Sequence, residues 1–94
     1  MNERIVLIST STSGNGIKLK VTENRNEVFC NKESISQKEY FESNAAGLKA
    51  ELKIKLWRQD YKGEQIAEYN GQRYKIYRTY EQFDMIELYL ANEG

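Results

Sequence analysis

Between Ala50 and Arg58 the chain reads AELKIKLWR, with Leu52, Ile54 and Leu56 alternating with Glu51, Lys53, Lys55 and Trp57. Strict period-two alternation is the mark of a strand with one face in a core and the other in water. A helix would scatter the same aliphatics around its circumference. Trp57 falls on the polar side, a place that suits a barrel end or a partner subunit.

The rest of the chain carries the same grammar. Glu3–Ser9 (ERIVLIS) is rich in β-branched residues and predicts a first strand. Ile17, Leu19 and Val21 alternate with Lys18, Lys20 and Thr22, predicting a half-buried strand. ENRN (Glu23–Asn26) reads as a turn, and Glu27–Lys32 as a further strand or a continuation past a bulge. Between the first two strands, STSTSGNG (Ser9–Gly16) is small and polar and predicts a flexible loop. One stretch departs from the β pattern. Ser36-Gln37-Lys38-Glu39 fits a capping box, in which the Ser hydroxyl takes the Glu39 N–H and the carboxylate reaches back. With Gly47 in the C′ position, it predicts a short helix over Gln37–Ala46 whose charges form a solvated face.

Asn70-Gly71 is the strongest hairpin signal in the chain. A two-residue loop sets Ile66 opposite Lys75, whereas a three-residue loop with Gly71 left-handed sets Ile66 opposite Tyr74 and shares its face with Ile76. Burial favours the second register. Ile86, Leu88 and Leu90 then return as a last strand, with its acids across from Arg73, Lys75 and Arg78. The expected core is Leu52, Ile54, Leu56, Ile66, Ile76, Ile86 and Leu88. About six strands and one inserted helix make the chain mainly β.

The stretch Tyr69–Tyr80 (YNGQRYKIYRTY) mixes aromatic and basic residues and raises the question of nucleic-acid stacking. A strand places Tyr74 and Ile76 inward, with Arg78 continuing that face, and Arg73, Lys75 and Tyr77 outward. The split between faces weakens a stacking platform, which needs aromatics and bases together. Composition points the same way: 14 acids balance 14 bases in 94 residues, without the net basic footprint of most nucleic-acid binders. The length predicts one domain spanning residues 1–94, burying about 60–65% of its unfolded surface.

Other classes find little support. The sequence has no histidine, a single cysteine (Cys30), and none of the usual phosphate-loop, dinucleotide or metal motifs. No enzyme activity, cofactor or metal is therefore expected. Cys30, in VFCN, reads as a buried small hydrophobe in a reducing compartment. Met1–Ser9 lacks the pattern of a signal peptide, and no apolar run approaches the ~20 residues of a membrane span.

From Val28 onward the chain resembles the phage head-tail joining family, also called head-closure, stopper or head-tail adaptor proteins. The matching stretches run in order: VFCNKESISQKEYFES (Val28–Ser43), GLKAELKIKLWRQDYKGEQIAEYNGQRYKIYRTYE (Gly47–Glu81) and DMIELYL (Asp84–Leu90). The resemblance implies a small antiparallel β-barrel or sandwich with one inserted helix. It further implies a ring of copies, usually dodecameric, in the neck of the virion after synthesis in the bacterial host cytoplasm. The implied partners are a portal or portal-adaptor protein on one side and a tail-terminator or tail protein on the other. DNA would pass through the ring without sequence-specific binding, and no membrane is involved. On that reading Thr10, Ser11, Thr12, Ser13, Gly14, Asn15 and Gly16 are the candidate channel loop. Trp57, Arg73, Lys75, Tyr77 and Glu87 are the candidate subunit interface, since a ring needs two complementary flanks on each copy. The alternative is a small β-barrel binding module for nucleic acid or peptide.

Overall fold

This computed structural model describes residues 1–14, 19–45 and 50–92. Six strands are formed: β1 (Glu3–Ser13), β2 (Lys20–Glu33), β3 (Ala50–Trp57), β4 (Ile66–Tyr69), β5 (Gln72–Gln82) and β6 (Met85–Asn92). They close into a barrel in the order β1-β2-β3-β6-β5-β4, and all neighbouring pairs are antiparallel. Helix α1 (Gln37–Ala45) connects β2 to β3, and a 3₁₀ turn (Arg58–Asp60) follows β3.

The alternation in β3 sets the core. Leu52, Ile54 and Leu56 are buried and face Leu90, Leu88 and Ile86 of β6 in register. Ile5 and Leu7 of β1, Val28 and Cys30 of β2, and Tyr74 and Ile76 of β5 complete the interior. Tyr61 packs against this cluster, and its hydroxyl donates to the Glu64 carbonyl at 2.6 Å. Gly63 (φ +86) lets the chain turn sharply there. The buried Glu64 carboxylate accepts the Lys62 N–H at 2.6 Å, so the DYKGE stretch ties itself into a knot beside the core.

The hairpin register differs from the expected one. Asn70 (φ 51) and Gly71 (φ 77) both adopt left-handed backbone, and Tyr69 pairs with Gln72 across a two-residue loop. This is the combination that matches strand twist. Ile66 therefore faces Lys75 on the outer surface, and Ala67 faces Tyr74 inside. The interior is filled here by two tyrosines, Tyr69 and Tyr74, with the small Ala67 between strands. A third large side chain has no place inside. Ile66 lies instead beside Ile8, its register partner on β1, and Ile8 is fully covered on the outer face.

A bulge redirects β5. Ile76 pairs with Leu90 but Arg78 pairs with Tyr89, leaving Tyr77 as the extra residue. The inward alternation ends there, so Arg78 does not continue the core face but emerges outside.

The N-terminal third also departs from expectation. Ser9–Ser13 is strand rather than loop, and Glu23–Asn26 is strand rather than turn. β1 and β2 pair in unbroken register from Glu3↔Cys30 to Ser13↔Lys20. Beyond Ile8, β1 has left β4, and β2 meets β3 only at Asn31–Glu33. The far part of the hairpin is thus a two-stranded arm. Leu19 and Val21, expected half-buried, are 68% and 65% exposed on it. Asn15, Gly16 and Ile17 lie outside the described residues.

Candidate assembly surfaces

Three outer surfaces grow out of this barrel. The first is the patch on which α1 docks. The capping box forms as the sequence predicts: the Glu39 N–H donates to Ser36 Oγ at 3.2 Å, and Glu39 Oε1 accepts from the Ser36 hydroxyl at 2.8 Å and its N–H at 3.2 Å. The charges of α1 are not simply solvated, however. Lys53 Nζ lies 3.4 Å from Glu39 and 3.6 Å from Glu87, so one lysine joins the helix to two strands. All three side chains are largely covered. Burial pulls the Glu39 carboxyl upward, but bonds from the Ser36 hydroxyl, Tyr89, the Ser36 N–H and Lys53 overcome it and hold the group at about 2. Burial works against the Lys53 charge, yet Glu87, Glu39 and Glu33 raise its pKa above the ordinary lysine value. Tyr89 lies beneath, with Lys53 at 5.6 Å and Arg78 at 5.2 Å over its ring, and its phenol is pushed up mainly by burial and by Glu39. Arg78 also reaches Glu42 of α1 at 4.0 Å.

The second surface lies across β2, β1, β4 and β5. Arg25 donates to Glu68 at 2.7 Å, spanning β1, and Arg73 meets Glu23 at 2.8 Å. On the inner side of the same strands, the Tyr69 hydroxyl donates to Glu3 in a very short contact, and this bond together with burial raises the phenol to about 12. Cys30 is fully enclosed, and burial, aided by Glu3, pushes its thiol up to about 11. That is the environment of an inert structural cysteine.

The third surface is an aromatic barrel end. Trp57 is exposed and lines a cleft of about 350 Å³ with Arg58, Gln59 and Asp84. Arg58 donates its N–H to the Asp84 carbonyl at 2.8 Å, fixing the cleft. Tyr80 and Phe83 belong to the same end. Phe83 stands at the tip of the β5–β6 turn, 89% exposed and with a left-handed φ of 57. Bulky residues rarely hold that conformation, so an exposed ring is presented at some conformational cost. Sequence reasoning missed Phe83. The available signal was a tight turn between two strong strands with no glycine in it.

The candidate interface residues are divided among these surfaces. Trp57 and Lys75 are exposed on β3 and β5, while Arg73, Tyr77 and Glu87 are half-buried. Glu87 is drawn into the Lys53 network, Arg73 faces Glu23, and the Tyr77 ring lies 6.2 Å from Tyr89. Among the described residues Arg78 and Lys75 do not meet β6 acids across the register, because the bulge sets Arg78 across from Tyr89 and Lys75 lies across from Ala91. Of the candidate channel residues, Thr10–Ser13 are exposed strand in the arm, Gly14 (φ 140) ends it, and Asn15 and Gly16 lie outside the described residues.

No protein-family model matches the chain, and no curated protein is similar enough to stand as a relative.

Proposed function

We propose that this protein is a structural part of the neck of a tailed phage or prophage, where copies form a ring that joins the DNA-filled head to the tail and helps close the portal channel. The observation that carries the proposal is the arm. A closed barrel has used up its strand edges, so the strand pairing of the arm adds nothing to closure, and past the Glu23–Arg73 ion pair at its base the arm is available for reaching beyond the barrel. Its β1 strand beyond Ser9 carries only the uncharged Thr10, Ser11, Thr12 and Ser13 before Gly14, and among the described arm residues beyond Glu23 Lys20 is the one base, too little positive charge to hold a phosphate backbone tightly. Around a ring axis, such arms narrow a lumen without holding the DNA that passes. The aromatic end at Trp57, Tyr80 and Phe83 supplies a docking surface for a portal-side or tail-side protein, since exposed aromatics are enriched at interfaces. The barrel with one inserted helix is the fold that the resemblance implies. The balanced charge suits a lumen of this kind.

The test is reconstitution with a phage portal protein, and this reading expects a portal gene beside this one in its genome. Electron microscopy is expected to show a closed ring on the portal, with the isolated protein monomeric or weakly associated at low concentration. Particles carrying a deletion of Ser11–Asn15 are expected to form heads but lose packaged DNA. A stable isolated two-fold dimer, with no ring under any condition, overturns the proposal.

A further inference from the structure

Helix α1 is attached to the barrel by charge, where surface helices are ordinarily held by an apolar face. Its nine residues include two large apolar side chains, Tyr40 and Phe41, and both stay exposed, at 47% and 66%. From Gln37 to Glu42 every side chain is exposed except Glu39. The buried cluster takes all its described members from the six strands and none from the helix. What α1 presses against β3 and β6 is therefore a carboxylate. One atom of that group does two jobs. Glu39 Oε1 accepts the Ser36 N–H and hydroxyl, which starts the helix, and the Lys53 ammonium, which fastens it to β3. Glu42 adds only an exposed contact with Arg78 at 4.0 Å, which contributes little in water.

We propose that α1 is an ion-latched flap, which folds and docks through Glu39 in one step and releases as a unit while the barrel stays closed. The flap is a property of the fold and holds whether or not the neck role does. The length of the helix explains the coupling. Isolated helices shorter than about 12–15 residues are marginal in water, so α1, at nine, does not persist as a helix once it has left the barrel. Undocking and melting are then one event, an order–disorder transition of a segment. The strands give the reason the barrel survives it. β3 pairs with β6 along its length and with β2 at Asn31–Glu33, and none of these ladders passes through α1. Lys53 also keeps Glu87 at 3.6 Å, so release strands no lone cation on β3. What release uncovers is the Lys53 ammonium and the Tyr89 hydroxyl, both bonded to Glu39 while the helix is docked.

Native-state hydrogen exchange in a rising series of urea concentrations tests the flap. The amide protons of residues 40–45 are expected to share one opening equilibrium. It lies at least about tenfold further open than that of β6 and is nearly insensitive to urea, since little surface is exposed. Lys53→Met is expected to speed exchange across residues 40–45 at least about tenfold, all by a similar factor. Glu39→Gln, which can still cap the helix but carries no charge, is expected to act in the same direction. The double variant is expected to open no further than the more open of the two single variants, because both remove the same ion pair. Ser36→Ala leaves the latch and removes the cap hydroxyl, and is expected to speed all of residues 40–45 at least about threefold. Lys55→Met removes a neighbouring lysine that lies 4.0 Å from Glu33, and is expected to leave the helix within about twofold of the wild type. Residues 40–45 that exchange only as fast as β6 make the helix an integral part of the barrel and overturn the proposal. So do exchange rates that Lys53→Met leaves unchanged, effects of Lys53→Met and Glu39→Gln that multiply in the double variant, and a Ser36→Ala effect confined to the first turn. A Lys53→Met chain whose barrel unfolds, seen as loss of near-ultraviolet circular dichroism, overturns it as well, because the closed barrel then depends on the helix.

Discussion

Lys53 is the residue whose removal tests most directly how the helix is held. Lys53→Met keeps most of the side chain's length and deletes the charge between Glu39 and Glu87. At 3.4 and 3.6 Å, with an effective dielectric of about 20, each pair carries an attraction of about 4–5 kcal/mol. Desolvation of three largely covered charges offsets most of that gain. Two pairs then leave a net loss of about 2–3 kcal/mol, which includes the repulsion of carboxylates no longer separated by a cation. Urea unfolding at neutral pH measures it. The pH dependence separates charge from packing. In the wild-type chain the folded Glu39 carboxyl, at about 2, lies below its ordinary value of 4.5. Its contribution is therefore complete above the unfolded value and is lost as pH falls toward the folded one. In the variant, Glu39 loses only the lysine, the smallest of the groups that hold it down, and rises part of the way while the Ser36 and Tyr89 bonds remain. The difference between the two proteins is expected to shrink by up to about 1 kcal/mol between about pH 7 and pH 3. A difference below about 0.5 kcal/mol at neutral pH, or one that does not change with acidification, refutes the electrostatic account.

Ile54→Ala, at a fully buried position facing Leu88, is expected to cost about 2–5 kcal/mol in a urea titration, and an unchanged midpoint would remove Ile54 from the core. Cys30, enclosed and with its thiol raised to about 11, is expected to react with a thiol reagent only as fast as the barrel opens; rapid labelling of the native protein would contradict the burial. Gly71→Ala meets no atom within 4 Å but must hold a φ of +77, so its cost is one of backbone alone, about 1–2 kcal/mol, with a loss of only a few tenths arguing against the left-handed turn.

The legible parts of the sequence are those where burial alternates. AELKIKLW and MIELYL show their faces because one side meets the core and the other meets water. The capping box at Ser36 is equally legible because it is a local hydrogen-bond exchange. The arm is illegible for the opposite reason. Both of its faces are solvated, so Ser9–Ser13 and Glu23–Asn26 carry no hydrophobic rhythm and resemble loops, although their backbones pair in regular register. Ile66 defies its aliphatic character, which alone points it to the interior. The closed barrel instead had room there for Ala67 between tyrosines, and made a second apolar contact outside with Ile8. Most of the candidate surfaces are hidden from the sequence too, since they depend on a bulge at Tyr77 and on charges brought together from α1, β3 and β6.

The barrel is closed by two short seams. β1 joins β4 through Val6–Ile8, and β2 joins β3 through Asn31–Glu33, while β4, β5 and β6 follow one another through tight turns. This divides the chain by order of assembly. The β4–β5–β6 meander is built from near neighbours and nucleates without long loop closure, whereas the β1–β2 hairpin docks across large sequence separation and so joins late. The same hairpin is the natural first piece to detach. Amide protons of Val6–Ile8 and Asn31–Glu33 are expected to exchange with solvent ahead of those in Ile86–Leu90, so that strain applied to the arm is released at the seams and spares the rest of the barrel.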